Sequence, residues 1–419
     1  MDTILNILKE LRVNEYRIIE KKVYSKEWFF IQKKLDMSRA KEITDYYLTV
    51  YQPIYEAQER FKGQASVKLS PSQSEEELEE IITQLIKEAS LTRNPYFELP
   101  SFMHSVEEMI SPLGDVQEVL KMMNDFHETE EISLNSYELF ETLEEVRIVN
   151  SKGLNVTYQR PIHDLEVVIN AKNESHEVEI YQDLLFGNAN IVDLKHRLAQ
   201  ACYQAEDRKN AINTKEISSI PNIIIAKENV VSICNYYLNQ LNTSYIYNQY
   251  SQVNVGDSIG PKGFNLEGLA YLENSSVNHG YDSDGRAIRS VSLIEDGVVK
   301  NLWGNHETSC YLGMDDTTMV HNYKVSCGEI TLDEMKKEPY LELVQFSSFS
   351  CHPITGDFAG EIRLGYYFDG EKIIPVTGGS ISGNIKENET SMQLSKELDK
   401  YNFAVVPQAI LLKKVNVSI

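Results

Sequence analysis

Residues 352–384 read HPITGDFAGEIRLGYYFDGEKIIPVTGGSISGN. The middle of this stretch holds two runs rich in β-branched and aromatic residues, 362–368 and 372–376. Between them, Asp369-Gly370 tolerates the positive φ of a tight two-residue turn, so an antiparallel hairpin is expected. A hairpin does not require Thr355-Gly356-Asp357-Phe358 before it, nor Gly378-Gly379-Ser380-Ile381-Ser382-Gly383-Asn384 after it. Glycines let backbone approach backbone or ligand closely, and Thr, Asp, Ser and Asn tie neighbouring peptide groups through their side chains. Two structural turns would account for any one of these residues taken alone.

Working outward, the 419 residues are long for one hydrophobic core, and two domains are expected. Hydrophobic residues make up 42% and charged residues 25%, the balance of a soluble globular protein. The excess of 63 acidic over 40 basic residues gives a net charge of -23, a field that repels phosphate backbones and anionic membrane surfaces. Neither nucleic acid nor a membrane is expected as a partner. Cys202, Cys234, Cys310, Cys327 and Cys351 are odd in number, widely spaced and without a C-x-x-C, which argues against a disulfide framework or a zinc knuckle. The opening MDTILNILKELR mixes charges into an amphipathic pattern, unlike a signal peptide, and no stretch is apolar for long enough to span a bilayer. A cytoplasmic location is the default expectation.

Ile4, Leu5, Leu8 and Leu11 share one face of a helix. Strand-like runs follow at 16–24, 27–35, 45–51 and 61–69, as in a curved antiparallel meander. Ser74 and Glu77 have the spacing of a capping box ahead of a stripe formed by Leu78, Ile81, Ile82, Leu85, Ile86 and Ala89. A helix is expected at 105–126, strands at 146–150, 154–158, 165–170 and 177–181, and a long helix at 191–211. Residues 213–221, NTKEISSIP, are polar and end in proline, which places a linker there. The expected class is α+β. Residues 1–212 form an N-terminal domain of curved antiparallel sheets with packed helices, and 222–419 a mainly antiparallel β domain with few helices. In the second domain 222–226 reads as a buried strand, 230–241 as a short helix, and Asp284-Gly285, Asp296-Gly297 and Asp369-Gly370 as turns.

As a whole, 352–384 resembles the TldD/PmbA family of peptidases, in which such a strand pair follows a TGDF-like signature and precedes a G-N element. Residues 281–313, YDSDGRAIRSVSLIEDGVVKNLWGNHETSCYLG, are similar to a second stretch of that family. Asp282 with Gly285 matches its D-x-x-G turn. Leu293-Ile294, Gly297-Val298 and Lys300 match its L-I-x-x-G-V-x-K hairpin, and Leu312-Gly313 its L-G. Weaker likeness through Asn150-Ser151-Lys152-Gly153-Leu154 extends the resemblance over most of the chain, at low identity.

A zinc peptidase needs neutral imidazoles on one helix face and a carboxylate beside the metal-bound water. The resemblance implies H-E-x-x-x-H in catalytic members, on the helix after the first strand of the second domain. No such motif occurs in the 419 residues. In the equivalent helix Cys234 and Asn239 stand at the two histidine positions and Asn235 at that of the glutamate. An amide takes no proton from water near neutral pH, and a lone thiolate with an asparagine is a poor zinc site. The family's catalytic subunit also supplies a cysteine ligand near its carboxyl terminus, whereas the last cysteine here is Cys351.

This departure matches the PmbA-like (TldE) branch. The resemblance then implies a non-catalytic subunit in a heterodimer with a TldD-like catalytic subunit, whose zinc cuts an extended or unfolded peptide or a modified-peptide precursor. No cofactor is expected in this chain. Thr355, Gly356, Asp357, Phe358, Gly383 and Asn384 are expected to shape the peptide cleft or the subunit interface. Two rival readings stand beside this one. The first is a stand-alone peptide-binding homodimer. The second is a peptidase with an unrecognised nucleophile, Cys351 before all, although Cys351 and His352 as strand neighbours point to opposite faces. The sequence pair His306 and Cys310 is weighed as a structural one, and Gly379-Ser380-Ile381-Ser382-Gly383 fails the G-x-S-x-G pattern.

Overall fold

The structure is a computed structural model that describes residues 1–101, 116–217, 222–314, 317–326 and 328–418. Helix α1 (Asp2–Glu10) buries Ile4, Ile7 and Leu8. Strands β1 (Glu15–Ile31), β2 (Lys34–Glu56) and β3 (Glu59–Leu69) form an antiparallel meander. The runs 16–24 and 27–35 expected as two strands are therefore one strand up to Ile31. Ser25 and Lys26 in its middle pair with β2 on one side and with residues 141–142 on the other, and nothing there lacks an N–H or forces a turn. The reversal falls at Gln32, where φ is +55°.

Helix α2 (Glu75–Ala89) starts at the expected capping box, with Glu77 N–H donating to Ser74 Oγ at 3.2 Å and Ser74 N–H to Glu77 Oε2 at 2.8 Å. Such a cap is worth about 1 kcal/mol. Burial of Leu78, Ile82 and Leu85 against Ile18, Leu48 and Val50 adds about 1.5–3 kcal/mol for each side chain.

After the short β4 (Asn94–Pro95) comes α3 (Val116–Asn124), the described part of the helix expected at 105–126; residues 105–115 lie outside the described residues. Strands β5 (Ile132–Asn150), β6 (Asn155–Lys172) and β7 (Glu177–Phe186) are longer than the short runs expected, and 154–158 with 165–170 are one strand. Pro161 does not break β6, because it pairs with Leu143 on one side and lies beyond the last β7 pair, His163 with Phe186, on the other. Helix α4 (Ile191–Lys209) closes this half.

The seven strands form one sheet in the order β4-β3-β2-β1-β5-β6-β7. Helices α1 and α2 cover one end of one face, and α3 with α4 cover Tyr137, Leu139, Leu165 and Val167 further along it. Side chains alternate along a strand, so Ile19, Val146, Ile148 and Tyr158 project from the opposite face, where Tyr281 packs on them.

Ile212–Asn213 is strand β8, paired in parallel with Val376–Thr377, and Thr214–Glu216 is a 3-10 turn. These residues begin the expected linker; 218–221 lie outside the described residues. Strand β9 (Asn222–Ala226) and helix α5 (Asn229–Gln240) follow as expected. Strands β10 (Asn265–Leu269), β11 (Val291–Glu295), β12 (Val298–Val299) and β13 (Asn322–Ser326) come next. Then come β14 (Tyr340–Cys351), β15 (Asp357–Phe368), β16 (Ile373–Thr377) and β17 (Ser380–Asn384). The last are β18 (Gln393–Leu394), β19 (Leu398–Tyr401), β20 (Ala404–Pro407), β21 (Ala409–Leu412) and β22 (Val415–Ser418).

Among the described residues these form a six-stranded and a nine-stranded sheet, mainly antiparallel, with parallel pairs at β9–β14 and β13–β20. Helix α5 shares a core with both, its Ile233, Cys234 and Tyr237 clustering with Phe264, Tyr323, Leu343 and Phe358. The fold is α+β. Among the described residues no helix is long and apolar enough to cross a membrane.

Two Asp-Gly pairs behave differently. Asp296 and Gly297 both have positive φ, +48° and +75°, and join β11 to β12 as a two-residue turn between Glu295 and Val298. At the other pair Asp369 N–H donates to Lys372 O at 3.3 Å, so the tip is Gly370-Glu371 instead of Asp369-Gly370. The Asp369 carboxylate accepts the N–H groups of Glu371 and Lys372 at 2.8 and 2.9 Å, and Gly370 takes φ +106°. Side-chain capping by Asp369 shifts the turn by one residue.

Candidate functional site

The residues singled out around the hairpin meet in one knot. Asp357 pairs with Asn384, and Phe358 with Gly383, in the β15–β17 ladder. The Asp357 carboxylate accepts from Thr355 Oγ1 at 2.7 Å and from Asn384 Nδ2 at 2.7 Å, and these donors hold its pKa below the usual carboxylate range. Asn384 Nδ2 also reaches Thr355 O, while its Oδ1 accepts from Lys386 N–H at 2.9 Å and caps the short helix Ile385–Asn388. Gly356 is buried, with φ +78°, and its carbonyl accepts from Ile385 N–H at 2.8 Å. A Cβ on Gly383 would sit 2.4 Å from Phe358 Cζ, so the ring of Phe358, 2% exposed, requires glycine there. Thr355 and Asp357 are exposed. The knot satisfies its own polar groups and offers solvent one edge.

Beside the knot, Cys351 is half-buried, and burial followed by the Asp357 charge pushes its thiol up to about 12. His352 points elsewhere, its Nδ1 accepting from Ile354 and Thr355 N–H at 3.4 and 3.3 Å. Cys310 Sγ lies 3.7 Å from His306 Nδ1, and His306 Nε2 contacts Glu98 O at 2.7 Å. Cys327 lies outside the described residues.

On α5, Cys234 is 1% exposed and faces the core, Asn235 lines a cleft, and Asn239 Nδ2 donates to Asn235 O one turn back at 2.7 Å. The structure thus separates the three residues that the family resemblance aligns with the metal motif. A core thiol and two amides, one tied to its own helix, do not fit zinc. Among the described residues no group of three or more His, Cys, Asp or Glu is placed to hold a metal ion.

The cleft that receives Asn235 has a volume of about 380 Å³. One wall is the end of β7, residues 183–186, and the start of α4; the other is Val231, Ser232 and Asn235 of α5 with the 400–403 turn. Strand β7 is the last in its sheet, so its outer edge carries backbone groups with no ladder partner among the described residues. The wall mixes Leu184, Phe186 and Phe403 with asparagines and charges.

The D-x-x-G segment has a different task. Asp282 accepts from Asp284 and Arg286 N–H, both at 2.9 Å, and from Arg286 Nε at 3.0 Å. That closed loop holds Asp284, 6% exposed, against Arg17 of β1 in an ion pair. Tyr281 fills the apolar patch of Val146, Ile148 and Val156. The motif therefore fastens the second half of the chain to the sheet face opposite the helices. His279 and His321, not singled out from the sequence, stack beside it at 4.1 Å. No local spacing announces this pair, since its partners Tyr158 and Arg160 are more than a hundred residues away.

Two family models match the sequence: the PmbA/TldA metallopeptidase C-terminal domain over residues 220–419 and the PmbA/TldA metallopeptidase central domain over residues 98–188. An uncharacterized protein of Methanocaldococcus jannaschii is 26% identical over 260 residues, an alignment that spans 58% of this chain and only 59% of that protein. Among solved structures, TldE from Thermococcus kodakarensis superposes with a TM-score of 0.76 at 16% identity, with 100% of both chains covered. A candidate modulator of a DNA gyrase from Thermotoga maritima does so with a TM-score of 0.77 at 15% identity, covering 100% of this chain and 99% of that one. At such identities these two structures share the fold.

Proposed function

This chain belongs to the TldD/PmbA family, and from that premise we propose that it is the non-catalytic, TldE-like subunit of a heterodimeric zinc metallopeptidase. A TldD-like partner supplies the zinc and cuts an extended or unfolded peptide, or a modified-peptide precursor, in the cytoplasm. The observation that carries the reading is the state of α5. At the positions of an imidazole pair and a carboxylate base it has a thiol sunk in the core, an amide in the cleft and an amide bonded to its own backbone. None of these can activate water.

What the chain contributes is wall. The open edge of β7, with Asn235 across the cleft, suits an added strand, where backbone hydrogen bonds hold a peptide of any sequence and alternate side chains find Leu184 or Phe403. The exposed edge of the Thr355-Asp357-Asn384 knot is assigned to the cleft rim or the subunit contact. A nucleophilic Cys351 is disfavoured, because a thiol pushed up to about 12 has almost no thiolate at neutral pH.

Co-expression with a TldD-like chain that carries H-E-x-x-x-H tests the proposal. The expected result is a one-to-one complex with chelator-sensitive peptidase activity, and no activity from this chain alone. Stoichiometric zinc bound to the isolated chain, or peptidase activity from it, would overturn the reading. Failure to pair, with a homodimer that binds peptides, would favour the stand-alone peptide binder.

A further inference from the structure

Between the sheet face opposite the helices and the loops of the second half lies another cavity, of about 370 Å³. Its sheet wall carries Lys21, Glu144, Tyr158 and Arg160, and its other wall His279, Met319 and His321. Glu144 pairs with both Lys21, at 2.5 Å, and Arg160. Two cations thus share one carboxylate, and the floor keeps one net positive charge inside a protein of net charge -23. The nearby Asp282 is neutralised by Arg286 at 3.0 Å, and the other titratable neighbours are the phenols of Tyr47, Tyr158 and Tyr281.

The two histidines differ. Arg160 Nη1 meets His279 Nε2 at 2.7 Å, and a guanidinium only donates, so that nitrogen is the unprotonated one and Nδ1–H points to the Tyr158 oxygen at 3.1 Å. His279 is locked neutral. His321 stacks on it at 4.1 Å with the planes 19° apart, and its ring nitrogens have no hydrogen-bond partner among the described residues. Here a cationic floor and an imidazole with unused donor capacity face one cavity.

We propose that this cavity is a carboxylate subsite, in which His321 and the Lys21–Arg160 pair take a planar monoanion from a peptide, either its C-terminal carboxylate or an acidic side chain. A single charge matches the floor, whereas the second charge of a phosphate would meet Glu144. Burial and the neighbouring Arg160 hold His321 down to about 4, and an arriving anion reverses that penalty, so His321 gains a proton as the ligand binds. The subsite deepens the peptide-cleft reading above and rests on it for the ligand being a peptide.

Titration calorimetry on the full chain tests it with four probes: N-acetyl-triglycine, its amide, N-acetyl-Gly-Glu-amide and inorganic phosphate. The expected result is that one of the two carboxylate peptides binds at least about tenfold more tightly than triglycine amide, and more tightly at pH 6 than at pH 8. The peptide that does so tells C-terminal from side-chain recognition. His321→Ala should weaken that binding about tenfold, and Lys21→Gln, at the cavity mouth, should weaken it as well. Equal affinity for acid and amide, unchanged affinity in both variants, or phosphate binding without carboxylate binding would each overturn the subsite. Cleavage by the co-expressed pair with no acid preference removes the subsite alone. Acid preference without any cleavage removes the metallopeptidase reading alone.

Discussion

The knot around Asp357 and the loop around Asp282 are both organised by a carboxylate that gathers donors, yet one faces water and the other is buried. Around Asp357 the donors come from within a short stretch of chain or across one ladder, and the carboxyl is held below its ordinary pKa by Asn384 and Thr355. Asp282 is 3% exposed, and burial with the adjacent Asp284 charge pushes its pKa up despite Arg286. The exposed knot shapes a local surface. The buried loop positions Asp284 to hold Arg17, a residue 267 positions away, and its loss should be felt by the whole molecule.

Variants can break that comparison, beginning with the aromatic ring that roots the knot in the core. Phe358→Ala should cost about 4 kcal/mol in urea unfolding, since the ring is 2% exposed and packs under Gly383. A loss below about 1 kcal/mol would mean the knot is not anchored there. Asp284→Ala leaves the mostly buried Arg17 guanidinium without its carboxylate, with the Thr49 hydroxyl at 3.5 Å, and should cost about 3 kcal/mol, with a large coupling in a double-mutant cycle with Arg17→Ala.

Acid should weaken the seam before the knot. His279 and His321 are held down to about 2 and about 4, from 6.5, chiefly by burial. Between roughly pH 6.5 and 4 the unfolded chain therefore binds protons that the folded chain refuses, and stability falls as pH falls. Melting curves should show this slope, and His321→Ala should flatten it.

Asp164 acts in the opposite sense. Burial and the Asp183 carboxylate raise it from 3.8 to about 7, so the folded chain binds the extra proton and stability falls as pH rises through that window. Asp183→Asn should raise the melting temperature at pH 7.5 and leave it nearly unchanged at pH 4.

The smallest effect on folding belongs to Asp357→Ala, whose melting temperature should drop less than that of Asp284→Ala. It should nonetheless impair partner binding or activity more than Asp369→Ala, which only caps the Gly370-Glu371 tip. Equal functional effects of these two would remove the knot from the proposed cleft or interface.

Much of the fold was legible where the physics is local. The stripe of Leu78, Ile82 and Leu85, the Ser74–Glu77 box and the Asp296-Gly297 turn depend on neighbours within a few residues, and all appear in the structure. The long strands outrun their local sequence signals, because nothing in 16–35 states how far a ladder will support it; β2 and β5 do that from either side. At the hairpin, the contest between a glycine at the tip and a capping Asp369 moved the turn by one residue. At the knot the sequence supplies the side chains of Thr355, Asp357 and Asn384, and only the fold supplies their mutual contacts.

The chain's order of residues by itself determined that it holds no H-E-x-x-x-H and that α5 carries the thiol of Cys234 and the amides of Asn235 and Asn239, because donor chemistry belongs to the side chain wherever it is placed. Only the tertiary structure decided that Cys234 turns into the core while Asn235 opens on a cleft, and that Arg17 meets Asp284 and His279 meets Arg160. These outcomes depend on which distant surfaces pack together, and burial, charge pairing and cavity walls exist only once they have done so.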